Sequence, residues 1–300
     1  MKALVTGAAG FVGQHLVRHL EECGDVVMAV DRSHGPDLLD ADGWQAYLGE
    51  HRPTAVYHLA GQTSVAESWR APIGTFRTNA EGTLNVLEAC RAAEVQRVLF
   101  VSTSDVYGRV TEADLPLLET APLRPVSPYA ASKAAAEQIA SQAFLGHRLQ
   151  VIVARSFSHT GPGQDVRFVA PALADRVAAN ELRGGTVVRV GDLSARRELT
   201  DVRDVVRAYR LLVIAGRAGE VYQVCSGADR PVLALAEALL ARAKVPMQLE
   251  VDPELLRPVE IPALRGSFEK LAADVGWSPA IPFEDTVDDL LEEARMRVRS

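Results

Sequence analysis

Tyr129 and Lys133 stand four residues apart in "SPYAASK", a spacing that puts both on one face of a helix. A phenol titrating at about 10 is a poor proton carrier at neutral pH, but a neighbouring ammonium stabilises the phenolate and lowers that value. The pair is equipped for acid–base work. Upstream, "STSDVYG" sets Thr103, Ser104 and Asp105 where an apolar run ends. A tyrosine and a lysine at this spacing are also compatible with a packed ring and a solvated helix residue. What gives them chemical meaning is that they follow, in the right order, a second pattern near the start of the chain.

That pattern is "VTGAAGFVGQHL", in which Gly7, Gly10 and Gly13 recur every third residue, GxxGxxG rather than GxGxxG, between an apolar run and a helical one. One glycine permits a sharp turn, one lets backbone approach a pyrophosphate, and one lets the helix pack closely on its strand. Free N–H groups and the positive end of the helix dipole would hold the phosphates. "VVMAVDRS" then supplies an acid, Asp31, eighteen residues after Gly13, where a carboxylate can accept from both hydroxyls of an adenosine ribose. The two together predict a dinucleotide site. Asp31 repels a 2′-phosphate and slightly favours NAD(H), while Arg32 beside it can bind one and keeps NADP(H) open.

Such residues need a scaffold of strands and helices. Strands are predicted at "KALVT", "DVVMAV", "TAVYHLA", "RVLFVST" and "LQVIVARS", with helices between them such as one from Thr75 to Ala93, and one very short strand within "HGPDLLDADGW". Near-continuous apolar strands alternating with helices imply a parallel sheet covered on both faces, an α/β doubly wound Rossmann fold over residues 1–156. Beyond Phe157 the rhythm breaks into "HTGPGQ", strands near "TVVRVG" and "VYQVCS", and a proline-rich stretch of short helices. Residues 157–300 read as a smaller mixed α/β lobe, with "VYQVCS" returning to complete the sheet. Ligands of such sheets bind beyond the carboxyl ends of the strands, where Thr103 to Asp105 would lie.

The chain has 300 residues, 39 acidic and 32 basic side chains and a net charge of −7, with 48% apolar residues and a mean hydropathy of +0.03. That composition is of the soluble globular kind and gives no support for a nucleic acid or an anionic membrane as partner. Cys23, Cys90 and Cys225 are isolated and read as core filler, as do Met28 and Met247. No metal-ligand spacing occurs: His15, His19, His34, His51, His147 and His159 read as surface or helix residues, and His58 as support for a cofactor loop. With the first strand starting at Lys2 and no apolar run of membrane length, a cytoplasmic setting is expected.

Taken together, the glycine turn, "HLAGQTSV", "TNAEGT", "STSDVYG" and "YAASK" resemble the extended short-chain dehydrogenase/reductases, which act largely on nucleotide-linked sugars. The resemblance implies a catalytic triad of Thr103, Tyr129 and Lys133. Tyr129 would exchange a proton with a sugar hydroxyl or ketone, Thr103 would hydrogen-bond the same oxygen, and Lys133 would hold the nicotinamide ribose and tune Tyr129. It extends the cofactor contacts to Phe11, Val12, Asp40, Leu59, Ala60 and Asn79, and implies a homodimer formed through two helices per subunit.

Farther on, "RSFSHTGPGQ", "ELTDVRDVVRAY", "VYQVCSG" and "LLRPVEIPALRGS" are similar to GDP-sugar enzymes, most nearly to reductases of GDP-4-keto-6-deoxymannose. That similarity implies Arg197 and Arg257 on a diphosphate, as guanidinium forks, and Glu260 on the guanosine ribose; the alternative is that both arginines are surface ion-pair residues. Two positions depart from the family. Ser158 stands where Asn is usual near the sugar, and Asp105 where dehydratases carry Glu, so a base there is one methylene short. The expectation is NAD(P)H-dependent reduction of a GDP-linked 4-keto-6-deoxyhexose. Its rivals are a 4,6-dehydratase or 4-epimerase with tightly bound NAD, and a dinucleotide-sensing scaffold without catalysis.

Overall fold

Apolar runs too short for a helix, each closed by Gly, Pro or Asp, alternate with amphipathic stretches through the first half of the chain, and the computed structural model folds them accordingly. It describes residues 1–256 and 263–299. Strand β1 (Lys2–Thr6) leads into α1 (Phe11–Glu22), β2 (Val26–Val30), α2 (Ala41–His51) and β3 (Ala55–His58). Helices α3 (Val65–Arg70) and α4 (Pro72–Phe76), a π-helical segment (Arg77–Glu81) and α5 (Gly82–Ala92) follow, then β4 (Arg97–Thr103), α6 (Pro128–His147) and β5 (Val151–Ser156).

The second half is shorter in its strands. It runs β6 (His159–Thr160), α7 (Val169–Arg183), β7 (Val187–Val190), β8 (Arg196–Glu198), β9 (Thr200–Asp201), α8 (Val202–Ala215) and β10 (Val221–Val224). After these come β11 (Asp229–Pro231), α9 (Val232–Ala241), β12 (Gln248–Val251), α10 (Glu269–Val275) and α11 (Phe283–Arg297).

Six strands form one parallel sheet in the order β10-β5-β4-β3-β1-β2. The order reverses between β1 and β3, the switch point at which open α/β sheets bind ligands. "VYQVCS" does return to the sheet: β10 pairs with β5, Val221 opposite Val153. Because both faces are covered, the middle strands are mostly apolar, their polar residues falling chiefly toward the ends. Leu16 and Leu20 of α1 with Val205, Tyr209 and Leu212 of α8 cover one face. Trp44 and Leu48 of α2, Val86 and Leu87 of α5, and Ala136 and Ala140 of α6 cover the other. The alanine run of α6 is thus a close-packed surface. A separate core joins α7, α9 and α11 to β7 through Leu173, Val177, Leu235 and Leu290.

Four expectations change. "HGPDLLDADGW" contains no strand, only a single bridge between Asp31 and His34, because Asp37 and Asp40 accept backbone bonds from Leu39 and Gly43 and turn the chain into α2. The helix expected from Thr75 begins at Pro72 and passes through the π segment. The last helix is long, 15 residues. Cys90 and Cys225 are buried, but Cys23, at the end of α1, is exposed. Among the described residues no helix is long and apolar enough to cross a membrane, and no group of His, Cys, Asp or Glu is set to hold a metal.

Candidate active site

Residues at the carboxyl ends of β1 to β5 line one edge of the sheet. After Thr6 the chain turns over Gly7, whose φ of 71° suits glycine and whose missing Cβ would lie 3.0 Å from the Ala60 backbone. Gly10 starts α1 without any side-chain cap, so the first N–H groups of that helix are open to an anion. At Gly13 a Cβ would come 2.1 Å from the Gly7 carbonyl. An uncapped helix start preceded by a turn in which Gly7 and Gly13 allow close backbone approach fits a pyrophosphate. Val12 packs half-buried against the core of that sheet face.

Asp31 directly follows β2. Its Oδ1 accepts from the N–H groups of Ser33, at 2.7 Å, and His34, at 3.1 Å. These bonds, the Ser33 one foremost, hold the carboxyl below its usual range, so it is ionised for a ribose. Arg32 beside it is exposed. Asp40 is less available, because its carboxylate caps α2 through Gly43 at 2.9 Å.

Leu59, Ala60 and Gly61 leave β3 along a loop fixed from below. The Ala60 N–H donates to Thr6 Oγ1 at 3.0 Å, and the Thr6 hydroxyl meets His58 Nδ1 at 2.9 Å. His58 Nε2 meets Thr83 Oγ1 at 3.1 Å, and Thr83 donates to the Asn79 carbonyl at 2.5 Å. One direction satisfies every member: Thr6 donates to Nδ1 and Nε2–H donates to Thr83. Burial, aided by the charge of Lys133, pushes the His58 imidazole down to about 3, which keeps this relay neutral. Asn79 belongs to the π segment, where one extra residue per turn redirects a side chain. Its amide accepts from the Gln62 N–H at 2.8 Å and donates to the Gln62 carbonyl at 3.0 Å and to Ser132 of α6 at 2.9 Å.

At the end of β4, Thr103 caps the short 3-10 turn Ser104–Tyr107, accepting from the Asp105 N–H at 3.2 Å. Ser127 caps α6 through Ala130, with Pro128 in the first turn. This start brings the Tyr129 hydroxyl near Thr103 and Asp105. Lys133, one turn on, is buried. It donates to the Val101 carbonyl at 2.6 Å and lies 4.4 Å from the centre of the Phe100 ring. The expected lowering of the Tyr129 pKa is therefore not found. Burial first, and the Asp105 charge second, raise the phenol, and burial brings Lys133 down to about 8 against the pull of Glu137. The ammonium spends its charge on the β4 carbonyl.

Beside this group opens a cleft of about 560 Å³ whose walls include Asp105, Ser127, Ser158, Leu173, Arg176 and Arg197, a volume suited to a small-molecule ligand. Arg197, on β8, is half-buried. Burial lowers its pKa while the charge of Asp105 opposes the shift, so these two side chains share the cleft. Arg257 and Glu260 lie outside the described residues.

Sequence reasoning missed several participants. His159 is half-buried: its ring stacks on Phe11 at 6.2 Å and 13°, and Nδ1 donates to the Phe157 carbonyl at 2.9 Å. His15 meets the Pro162 carbonyl at 2.7 Å, which ties "HTGPGQ" to the glycine turn. Arg176 carried no local signal. Glu137 did, because "YAASKAAAE" continues the Tyr129–Lys133 face by one more turn.

The profile of the NAD dependent epimerase/dehydratase family matches residues 3–225. GDP-6-deoxy-D-mannose reductase of Pseudomonas aeruginosa is 39% identical over 99% of this chain and 98% of its own. A dTDP-glucose 4,6-dehydratase of Streptomyces niveus is 30% identical over 97% of this chain and 92% of its own. Among solved structures, RMD from Pseudomonas aeruginosa complexed with NADPH superposes with a TM-score of 0.90 at 37% identity, over 99% of this chain and 100% of that one. The UDP-glucose 4-epimerase of Thermus thermophilus with NAD gives 0.86 at 33% identity, over 98% and 99%. Likeness of this extent makes the chain a member of the NAD dependent epimerase/dehydratase family, the extended short-chain dehydrogenase/reductases, and an NAD(P)-dependent oxidoreductase.

Proposed function

We propose that the protein reduces the C4 ketone of a GDP-4-keto-6-deoxyhexose. The observation that carries this reading is the meeting of Tyr129 and Lys133, one helical turn apart on α6, with Thr103 at the end of β4, beside a cleft lined by Asp105 and Arg197. Reduction needs an acid at the ketone oxygen, and a phenol raised by burial holds its proton at neutral pH. The likeness to the Pseudomonas reductase along nearly the whole chain supports the same choice.

In this mechanism the bound nicotinamide supplies the hydride. Gly7, Gly10 and Gly13 would seat the pyrophosphate, Asp31 would take the adenosine ribose, and Leu59 and Ala60, on the loop braced by Asn79 through Gln62, would contact the cofactor. Lys133 donates to the nicotinamide ribose, Thr103 hydrogen-bonds the ketone oxygen, and Tyr129 delivers the proton to that oxygen as negative charge develops on it. Arg197 clamps the diphosphate and Ser158 contacts the sugar, with Arg257 and Glu260 completing the nucleotide site. Residues 1–156 with β10 are then the cofactor domain, and 157–300 mainly the substrate lobe.

A homodimer fits the exposure of Trp69, Ile73, Phe76 and Leu84 along α3 to α5, beside α6. A cytoplasmic setting fits three cysteines that are all free thiols.

Two measurements follow. Asp31→Ala weakens NADH more than NADPH, because NADH loses two charge-assisted hydrogen bonds whereas NADPH also loses a repulsion; equal losses in fluorescence titrations would remove Asp31 from the site. Calorimetric titration of GDP, UDP, CDP and TDP ranks GDP first, and Arg197→Ala weakens every diphosphate by about 1.5–3 kcal/mol, the range for hydrogen bonds to charged groups. A flat ranking would withdraw the GDP-sugar assignment.

A further inference from the structure

Beneath the Tyr129–Lys133 pair lies an ion pair to which the reaction assigns no task. Glu137 of α6 and Arg155 of β5 are about 4% and 6% exposed at their side chains and meet at 2.7 Å. Arg155 approaches in fork geometry, its Nε donating at 3.0 Å to one carboxylate oxygen and its Nη2 at 2.7 Å to the other. The remaining guanidinium nitrogen, Nη1, donates to Tyr107 Oη at 3.0 Å and to the Glu119 carbonyl at 2.8 Å. A buried pair of this kind commonly stabilises no better than apolar side chains of equal volume, so its presence asks for another reason.

The contacts of Glu137 supply one. Its Oε1 also accepts from the Ser102 hydroxyl at 2.5 Å. Lys133, one turn earlier on the same helix, holds the carbonyl of Val101. Two successive turns of α6 thus grip two successive residues of β4, and the next residue is Thr103. From Arg155 the chain of bonds continues through Tyr107, which ends the turn carrying Asp105, to Gln223 of β10 at 2.7 Å.

We propose that Glu137 is a positioning residue for Lys133 and Thr103, held in place by Arg155, and that its negative charge keeps the Lys133 ammonium protonated in a buried site. This rests on the reading above that Lys133 holds the nicotinamide ribose. Burial drives Lys133 toward neutrality and Glu137 is the group that opposes it. The other ionisable groups around Lys133 do not take over this role. On α6 itself Tyr129 is neutral, and across the sheet His58 of β3 is held neutral. Tyr107 and Tyr209, from the turn after β4 and from α8, are neutral phenols with raised pKa. Asp105 faces Tyr129 and Arg197, and Arg155 is itself a cation engaged by Glu137.

The test is the pH dependence of NADH binding, read by fluorescence titration from neutral to alkaline pH, with melting temperature recorded alongside. In the wild type, affinity holds below about 8 and falls above it as Lys133 loses its proton. Glu137→Gln lowers that midpoint by roughly one pH unit, the low end of what a nearby opposite charge contributes. Glu137→Asp keeps the charge and restores the midpoint. Because a lone buried Arg155 can prevent folding, Glu137→Gln/Arg155→Gln serves as the second variant: it leaves no unpaired charge and lowers the midpoint by the same amount. A double variant that keeps the wild-type midpoint overturns the proposal. A wild type whose NADH affinity is flat across this range instead removes Lys133 from the cofactor site, and the proposal with it.

Discussion

Tyr129→Phe lowers the turnover of ketone reduction by about two to four orders of magnitude, the span lost with a general acid, while NADPH binds as before. The phenylalanine ring keeps the packing of the helix start and removes only the hydroxyl that lies near Thr103 and Asp105. Hydride can still be delivered, but the alkoxide then has only the Thr103 hydroxyl for support and must take its proton from water. Loss of nicotinamide absorbance at saturating substrate measures the effect. The sign of the Tyr129 shift adds a second feature: a phenol raised by burial stays protonated, so reduction has no alkaline limit from Tyr129 in the neutral range. A loss of less than about tenfold would assign the proton to another group, with Asp105 the nearest candidate in the cleft.

Gly13→Ala has the second large effect, on the cofactor site rather than on chemistry. The added Cβ would stand 2.1 Å from the Gly7 carbonyl and 2.8 Å from Ala8 Cα. Both are backbone atoms, and neither can swing aside. Helix α1 must therefore move off the turn, which costs about 1–3 kcal/mol as overpacking does and displaces the uncapped N–H groups that would hold the phosphates. Dinucleotide affinity falls at least about tenfold, equivalent to a lost charged hydrogen bond, and the melting temperature falls by several degrees. Gly49→Ala in α2, where an added Cβ meets nothing within 4 Å, is the control and leaves both unchanged or slightly improved.

Much of this was legible in the chain itself. The glycine turn, Asp31, and the Thr103, Tyr129 and Lys133 pattern are local signals: short apolar strands ending in residues that the parallel sheet must bring to one edge. What escaped depends on partners distant in sequence. Lys133 has the spacing to serve Tyr129, yet the direction of its ammonium is set by the Val101 carbonyl 32 residues away. The ring of His159 stacks on that of Phe11, far away in sequence. The π segment at Arg77–Glu81 has an ordinary helical sequence, and Asn79 shows its purpose only through Gln62 and Ser132. The strand expected in "HGPDLLDADGW" fails for a local reason instead, because two aspartates offer the backbone better bonds than a sheet edge would.

The choice between reduction and dehydration rests on Tyr129 and Asp105, and one assay addresses both. A dehydratase must oxidise C4, remove the C5 proton with a carboxylate within about 3 Å, and return the hydride to C6 from a nicotinamide that never leaves. Asp105 is short for that task, and Ser104 and Val106 flank it. The purified protein is given GDP-4-keto-6-deoxymannose with NADPH or NADH, and separately GDP-mannose alone. Stoichiometric oxidation of the nicotinamide is expected in the first case, no 4-keto product in the second, and only a mild effect of Asp105→Asn on the reduction. Dehydration of GDP-mannose without added nicotinamide, abolished by Asp105→Asn, would contradict it.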